Sequence, residues 1–244
     1  SATPAPLNDH AADTILSIVR ASKRPLLIGA PVLANAHGRA AMRALQDALG
    51  APGCLSEGPR GFNDATLGLY GDVAKKADLV VLIGKALDFT LKFGAEPFFD
   101  KDCRFVSIDP DGALIARTFE FKGDKLAFAC IAETHSAIAT LIARSAGGAK
   151  ADPAWRAEAE NLFAARPDAV KTAVSKTDGK LHPAEVFRTL GAILDRDPNA
   201  VLICDGGEFA QWGQSMLRND RRMINGVLRR FTSAGAARAS MSPT

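Results

Sequence analysis

The chain has 244 residues, 47% hydrophobic and 23% charged, with a formal net charge of +3. That balance can bury a sizeable core and describes one or two soluble globular domains. Aromatic residues make up 7%, with a single Tyr, too few stacking platforms for a single-stranded nucleic-acid binder. The body is near neutral, so it carries no basic nucleic-acid footprint. No apolar run approaches the ~18 residues that span a bilayer. Residues 1–9 lack the basic start and apolar stretch of a signal peptide. A cytoplasmic protein without a membrane partner is expected. The four cysteines, Cys54, Cys103, Cys130 and Cys204, are far apart and form no C-x-x-C pair. They read as buried free thiols in a reducing compartment.

In chain order, Asn8 or Asp9 can cap a first helix running to Ser22, with Ile15, Ile18 and Val19 on one face. Residues 26–30 form a short apolar strand closing on Gly29. Residues 36–49 are helical, with Met42, Leu45 and Leu49 at helical spacing and Gly50 as C-cap. A second short strand covers 52–55, and a glycine-rich irregular stretch runs over 58–71. A short helix, 72–77, leads into the clearest strand, 79–83. Further strands are predicted at 104–108, closing on Asp109-Pro110-Asp111, and at 126–131, followed by a helix over 133–144. Strands that are short, apolar on both faces and separated by helices describe a parallel sheet covered on both sides. The expectation is a doubly wound, Rossmann-like α/β domain over residues 10–146.

Residues 147–180 read as a linker with helices, Ala154 to Lys176 being broken near Pro167. Leu181-His182-Pro183 opens a helix to Leu194 with Val186, Phe187, Leu190 and Ile193 on its apolar face. A strand over 200–204 and a helix from Glu208 follow. They start a partial second α/β domain over 181–227. Residues 228–244 hold Arg229, Arg230 and Arg238, no acid and no strand pattern, and read as disordered.

Candidate chemistry lies at the strand ends. Gly29, Gly84 and Asp109 each close a strand, where open α/β sheets bind ligands. They can merely turn the chain, or line a nucleotide groove with Asp109 accepting from ribose hydroxyls. The stretch Leu27-Ile28-Gly29-Ala30-Pro31-Val32 has one glycine, so the G-x-G-x-x-G dinucleotide fingerprint is absent. Among Lys85, Asp88, Lys92 and Arg104, Lys85 follows a strand end and can meet a phosphate; its plainer reading is a solvated loop charge. Asp205-Gly206-Gly207-Glu208 join a strand to a helix N-terminus, an anion-binding geometry that also serves as an ordinary connection. His10, His37, His135 and His182 have no metal-ligand spacing, and no nucleophile elbow or P-loop is present. No catalytic or metal-binding residue is therefore assigned.

Several segments together resemble the acetolactate synthase-like family of thiamine diphosphate-dependent enzymes. The similarity begins at Arg24-Pro25-Leu26-Leu27-Ile28-Gly29 and passes through Gly68-Leu69-Tyr70-Gly71 and Ala77-Asp78-Leu79-Val80-Val81-Leu82-Ile83-Gly84. It continues through Leu87-Asp88-Phe89-Thr90-Leu91-Lys92-Phe93-Gly94 and Val106-Ser107-Ile108-Asp109-Pro110-Asp111. It covers residues 10–227, and the L-D-F-T-L-K-F-G stretch leans toward the benzaldehyde lyase, oxalyl-CoA decarboxylase and 2-hydroxyacyl-CoA lyase side.

The resemblance implies a central domain followed by the start of the diphosphate-binding domain. In the family the central domain holds FAD, an adenine nucleotide such as ADP, or nothing. It further implies thiamine diphosphate and Mg2+ in the parent enzyme, 2-oxo or 2-hydroxyacyl substrates, and a homo-oligomer. The reaction makes or breaks a carbon–carbon bond beside a carbonyl. By the match, Asp205, Gly206, Gly207 and Glu208 would lie beside the cofactor's diphosphate; Gly29, Lys85 and Asp109, read from their strand-end positions, remain the candidates for a nucleotide. The family's pyrimidine-binding domain with its activating glutamate and its G-D-G magnesium motif have no counterpart here, and the tail departs from the family after Val227, as a frameshift or truncation would make it. The chain alone is therefore expected to be inactive. Two other readings are a stand-alone ADP- or FAD-binding regulatory module and an NAD-dependent enzyme on a related α/β fold.

Overall fold

The structure is a computed structural model that describes residues 5–56, 61–148, 150–166, 168–194, 196, 202–205, 212–213, 215–217 and 223–226. It divides into two compact units, Ser1–Ala164 and Ala165–Thr244. The predicted tail, 228–244, and residues 206–208 lie outside the described residues.

The first unit is a parallel sheet of β1 (Pro25–Gly29), β2 (Gly53–Leu55), β3 (Leu79–Ile83), β4 (Arg104–Asp109) and β5 (Leu126–Ile131), in the order β2-β1-β3-β4-β5. Strand alternation divides the side chains between two cores. Leu27, Val81, Ile83, Val106 and Ile108 face one side. There they meet helices α1 (Asp9–Ala21), α2 (Ala36–Leu49) and α5 (Thr134–Ser145). Leu26, Ile28, Val80, Leu82 and Phe105 face the other. Helix α3 (Tyr70–Lys76) and helix α6 (Pro153–Ala164) cover that side, where α4 (Gly112–Lys122) also lies against β4 and β5. The sheet is thus doubly wound, as the alternation of short apolar runs predicts.

Local chemistry fixes the helix ends. Asn8 caps α1 by accepting from the Ala11 N–H at 2.8 Å, and Asn35 caps α2 by accepting from the Gly38 N–H at 2.9 Å. Gly50 ends α2 at φ +66°, a left-handed position that a side chain would strain. Residues 58–71, read as irregular, hold two 3-10 turns, Gly61–Asn63 and Ala65–Leu67, before α3 starts at Tyr70.

Helix α6 falls within the stretch that composition marks as linker, yet it packs as part of the first unit. Trp155 is 3% exposed, and its indole N–H donates to the Pro25 carbonyl at 2.9 Å. Arg156 ties the same helix to Asp47 and to the Gln46 carbonyl. One buried Trp outweighs the polar, alanine-rich surroundings that suggested a linker.

The second unit contains α7 (Asp168–Thr172), α8 (Pro183–Leu194), β6 (Leu202–Asp205) and β7 (Met223–Gly226). Helix α6 ends at Ala164, α7 starts at Asp168 and α8 opens at Pro183, in line with the predicted interruption and helix start. Glu185 accepts from the Ser175 and His182 N–H groups at 2.9 and 2.8 Å, closing the turn before α8. Strands β6 and β7 pair in parallel, from Leu202 against Met223 to Asp205 against Gly226. No helix among the described residues is long and apolar enough to cross a membrane.

Candidate functional site

In the strand order β2-β1-β3-β4-β5, the chain leaves β1 toward one edge and β3 toward the other. Their carboxyl ends form the switch point at which open α/β sheets present ligand crevices. Gly29, Gly84 and Lys85 lie at this point, and Asp109 closes the next strand.

Gly29 is a packing position. A Cβ there would come within 2.6 Å of Leu55 Cδ2, 3.1 Å of Leu33 Cδ1 and 3.3 Å of Met42 Cε. The space beside it is filled by the chain's own side chains. Its carbonyl accepts from the Ser56 N–H at 3.0 Å. Gly84 has φ +65°, and a Cβ would stand 2.4 Å from Thr134 Oγ1. The absent side chain lets the α5 N-terminus close over the end of β3, while the Gly84 N–H donates to the Ile108 carbonyl at 2.7 Å.

Lys85 is not a solvated loop charge: its side chain is only 6% exposed. Its ammonium donates to Thr90 Oγ1 at 2.8 Å and to both Asp88 carboxylate oxygens at 3.2 and 3.3 Å. Asp88 also accepts from the Thr90 N–H and hydroxyl. Burial raises the Asp88 carboxyl, but the Thr90 hydroxyl and the Lys85 ammonium outweigh it and hold it below the usual carboxylate range. A buried charge survives only when paired in this way, so Lys85 is already committed to a structural ion pair. The sequence named Lys85 and Asp88 but missed Thr90. Lys92 instead sits over the Phe98 ring, 5.3 Å from its centroid. Arg104 starts β4 at the opposite end of the sheet, so the structure does not bring it to the others.

Asp109 differs. It is 3% exposed, and among the described contacts its carboxylate accepts from the Asp111 N–H alone, at 2.8 Å. Burial raises its carboxyl above the ordinary value, the Asp111 N–H only partly offsets this, and the Asp111 charge adds to it. A carboxylate can accept about four hydrogen bonds, so Asp109 keeps capacity for hydroxyl donors. Of the three proposed nucleotide residues, it alone has a side chain with that capacity.

Near the same rim, the His37 and His135 rings stack with centroids 5.7 Å apart. His135 also lies 3.2 Å from Glu133, whose carboxylate caps α5 through the His135 and Ser136 N–H groups. Neither helix start therefore offers an open anion site. Among the described residues no group of three or more His, Cys, Asp or Glu is placed to hold a metal ion. Cys54 and Cys103 are buried free thiols as expected, whereas Cys130 is only half-buried because β5 is an edge strand. Burial pushes the Cys103 thiol up to about 12 and the Cys130 thiol up to about 11. Both are inert thiols at neutral pH. In the second proposed site the backbone of Asp205 ends β6; Gly206, Gly207 and Glu208 lie outside the described residues.

No family model matches the chain. It is 27% identical over 225 residues to 2-hydroxyacyl-CoA lyase 2 of Caenorhabditis elegans. The matched region covers 85% of this chain and 34% of that protein. The chain therefore spans about a third of the relative it matches.

Proposed function

We propose that this chain is part of a thiamine diphosphate-dependent lyase of the 2-hydroxyacyl-CoA type. Its first unit would be the central domain, and the second unit the opening of the diphosphate-binding domain. The observation that carries this reading is the similarity to 2-hydroxyacyl-CoA lyase 2 over 225 residues, running through both units. Thiamine diphosphate with Mg2+, when bound, supplies the carbanion-stabilising chemistry that breaks or makes a carbon–carbon bond beside a carbonyl. Asp205, Gly206, Gly207 and Glu208 are the candidates beside its diphosphate. As part of such an enzyme, spanning about a third of the relative it matches, the chain is proposed to be inactive by itself. The enzyme to which it corresponds would act as a homo-oligomer on a 2-oxo or 2-hydroxyacyl substrate.

Within the first unit, the crevice at the ends of β1, β3 and β4 is proposed to hold ADP or FAD through Asp109. Gly29 contributes packing rather than close approach, and Lys85 can reach a phosphate only by leaving Asp88. A stand-alone nucleotide-binding module remains the second reading, favoured by the acceptor capacity of Asp109. Translation of the coding DNA on both sides tests the first reading. A glutamate-bearing pyrimidine domain upstream and a G-D-G motif downstream support it, and unrelated flanks overturn it. Calorimetric titration of the purified chain with ADP, FAD and NAD tests the nucleotide site. ADP or FAD should bind, and Asp109→Asn should weaken binding by about tenfold or more. Binding of NAD alone would favour the NAD-dependent reading instead.

A further inference from the structure

Two helix starts meet over the gap between β1 and β3. Helix α2 follows β1 through the short turn Pro31–Leu33, so its first turn lies over the carboxyl end of β1. Helix α5 packs against both α1 and α2 on the same side of the sheet, and Thr134 at its start sits against Gly84 at the end of β3. Each first turn carries a histidine. The His37 and His135 rings stack across the gap, with centroids 5.7 Å apart and planes inclined by 21°. Two aromatic rings therefore roof one side of the switch point.

Three features suit this pair to a ligand. First, the rings are accessible: His37 is exposed, and 34% of the His135 side chain is open. Second, one ring is already held in place. The Glu133 carboxylate can only accept, so it takes a hydrogen bond from His135 Nδ1–H, at 3.2 Å. A ring oriented before the ligand arrives loses little freedom on binding. Third, Asp109 is close by. Its carbonyl accepts from the Ala132 N–H at 3.2 Å, and His135 is three residues further on, a span of at most about 11 Å. One nucleoside can reach from the acceptor to the rings. Asn35 and Glu133 already occupy the N–H groups at the two helix starts, so the pair offers ring face rather than an anion site.

We propose that His37 and His135 form the base-stacking platform of the crevice. The purine of the ligand lies on the exposed His37 ring, continuing the stack, while Asp109 accepts from the ribose hydroxyls. Histidine rings stack nucleobases as other aromatic side chains do. The proposal rests on the nucleotide reading above and assigns it the residues that hold the base. With Lys85 committed to Asp88, the platform supplies a grip that does not depend on the ligand's phosphates.

Calorimetric titration of the full chain with ADP and with FAD, which carry the same base, tests this. The wild-type chain should bind at least one of them. His37→Ala and His135→Ala should each weaken that binding by about tenfold with an unchanged circular dichroism spectrum. His37→Phe keeps a ring at the position and should retain affinity within about threefold. His10→Ala, an exposed histidine on α1, should change nothing. Wild-type affinity in both alanine variants overturns the platform and leaves the nucleotide reading standing. A loss in His37→Phe as large as in His37→Ala also overturns it, since a ring face would then not be what binds. If neither ADP nor FAD binds the wild-type chain, the nucleotide reading itself fails and the platform falls with it.

Discussion

The two ends of the sheet each hold a carboxylate, half-buried Asp78 at one and buried Asp109 at the other, and they use it in opposite ways. At the amino ends, Asp78 accepts from the Ser22 hydroxyl and from the Lys23 and Arg24 N–H groups, the last two at 2.9 and 2.8 Å. Burial raises its carboxyl, but these donors outweigh it and hold it below the usual range. At the carboxyl ends, Asp109 has one backbone donor and burial keeps it above the usual range. Trp155 adds a second clamp at the amino end through the Pro25 carbonyl. One end is saturated with internal partners, and the other retains unused acceptor capacity. Function in an α/β sheet belongs at the end where the fold has not consumed its own polar groups.

Four substitutions test that contrast, the largest effect first. Trp155→Ala should cost about 3–5 kcal/mol through the lost burial and the orphaned Pro25 carbonyl, read as a lower urea midpoint by circular dichroism. Gly84→Ala should cost about 2–4 kcal/mol, from the left-handed backbone and the clash with Thr134. Adding Thr134→Ala should restore only the steric part.

Asp78→Asn should cost about 1–3 kcal/mol at neutral pH, because three donors lose a charged acceptor. A depressed folded pKa means that the Asp78 contribution is present above the unfolded carboxylate value and lost as pH falls through the folded one. The difference between wild type and Asp78→Asn should therefore shrink in acid. Asp109→Asn should change stability at pH 7 by no more than about 0.5 kcal/mol, or raise it. Its folded pKa is raised, so its contribution is full below the unfolded value and is lost as pH rises through the folded one. The variant should lack that decline. A large loss on Asp109→Asn would make the two ends alike and remove the argument for a ligand at the carboxyl end.

Much of this contrast could be read from residue order alone, because it follows from local rules. Helix α2 has the boundaries that its apolar spacing and Gly50 predict, and β3 is the five-residue apolar run bounded by Asp78 and Gly84. Asp109 was legible as a strand end. What could not be read depends on contacts that only the folded chain makes. Helix α4 went unassigned because, at the edge of the sheet, it buries only Thr118 fully and lacks a clear apolar stripe. Lys85 looks solvated in sequence, since nothing marks Thr90 and Asp88 as the walls that enclose it. Gly29 resembles a close-approach glycine, but Leu55, arriving from a neighbouring strand, occupies the space. The role of Trp155 depends on a carbonyl 130 residues earlier.

That separation has a consequence for the order of synthesis. Pro25 leaves the ribosome 130 residues before its indole partner, on the order of ten seconds at ordinary elongation speeds. During that interval the Leu26 and Ile28 face of β1 waits without α6 to cover it. The first unit cannot complete its second core until residues near Ala164 emerge, so its fold is finished from the carboxyl side. Such long-range closure slows folding. In a living cell, the newborn amino-terminal strands would be a natural client for chaperones until α6 arrives.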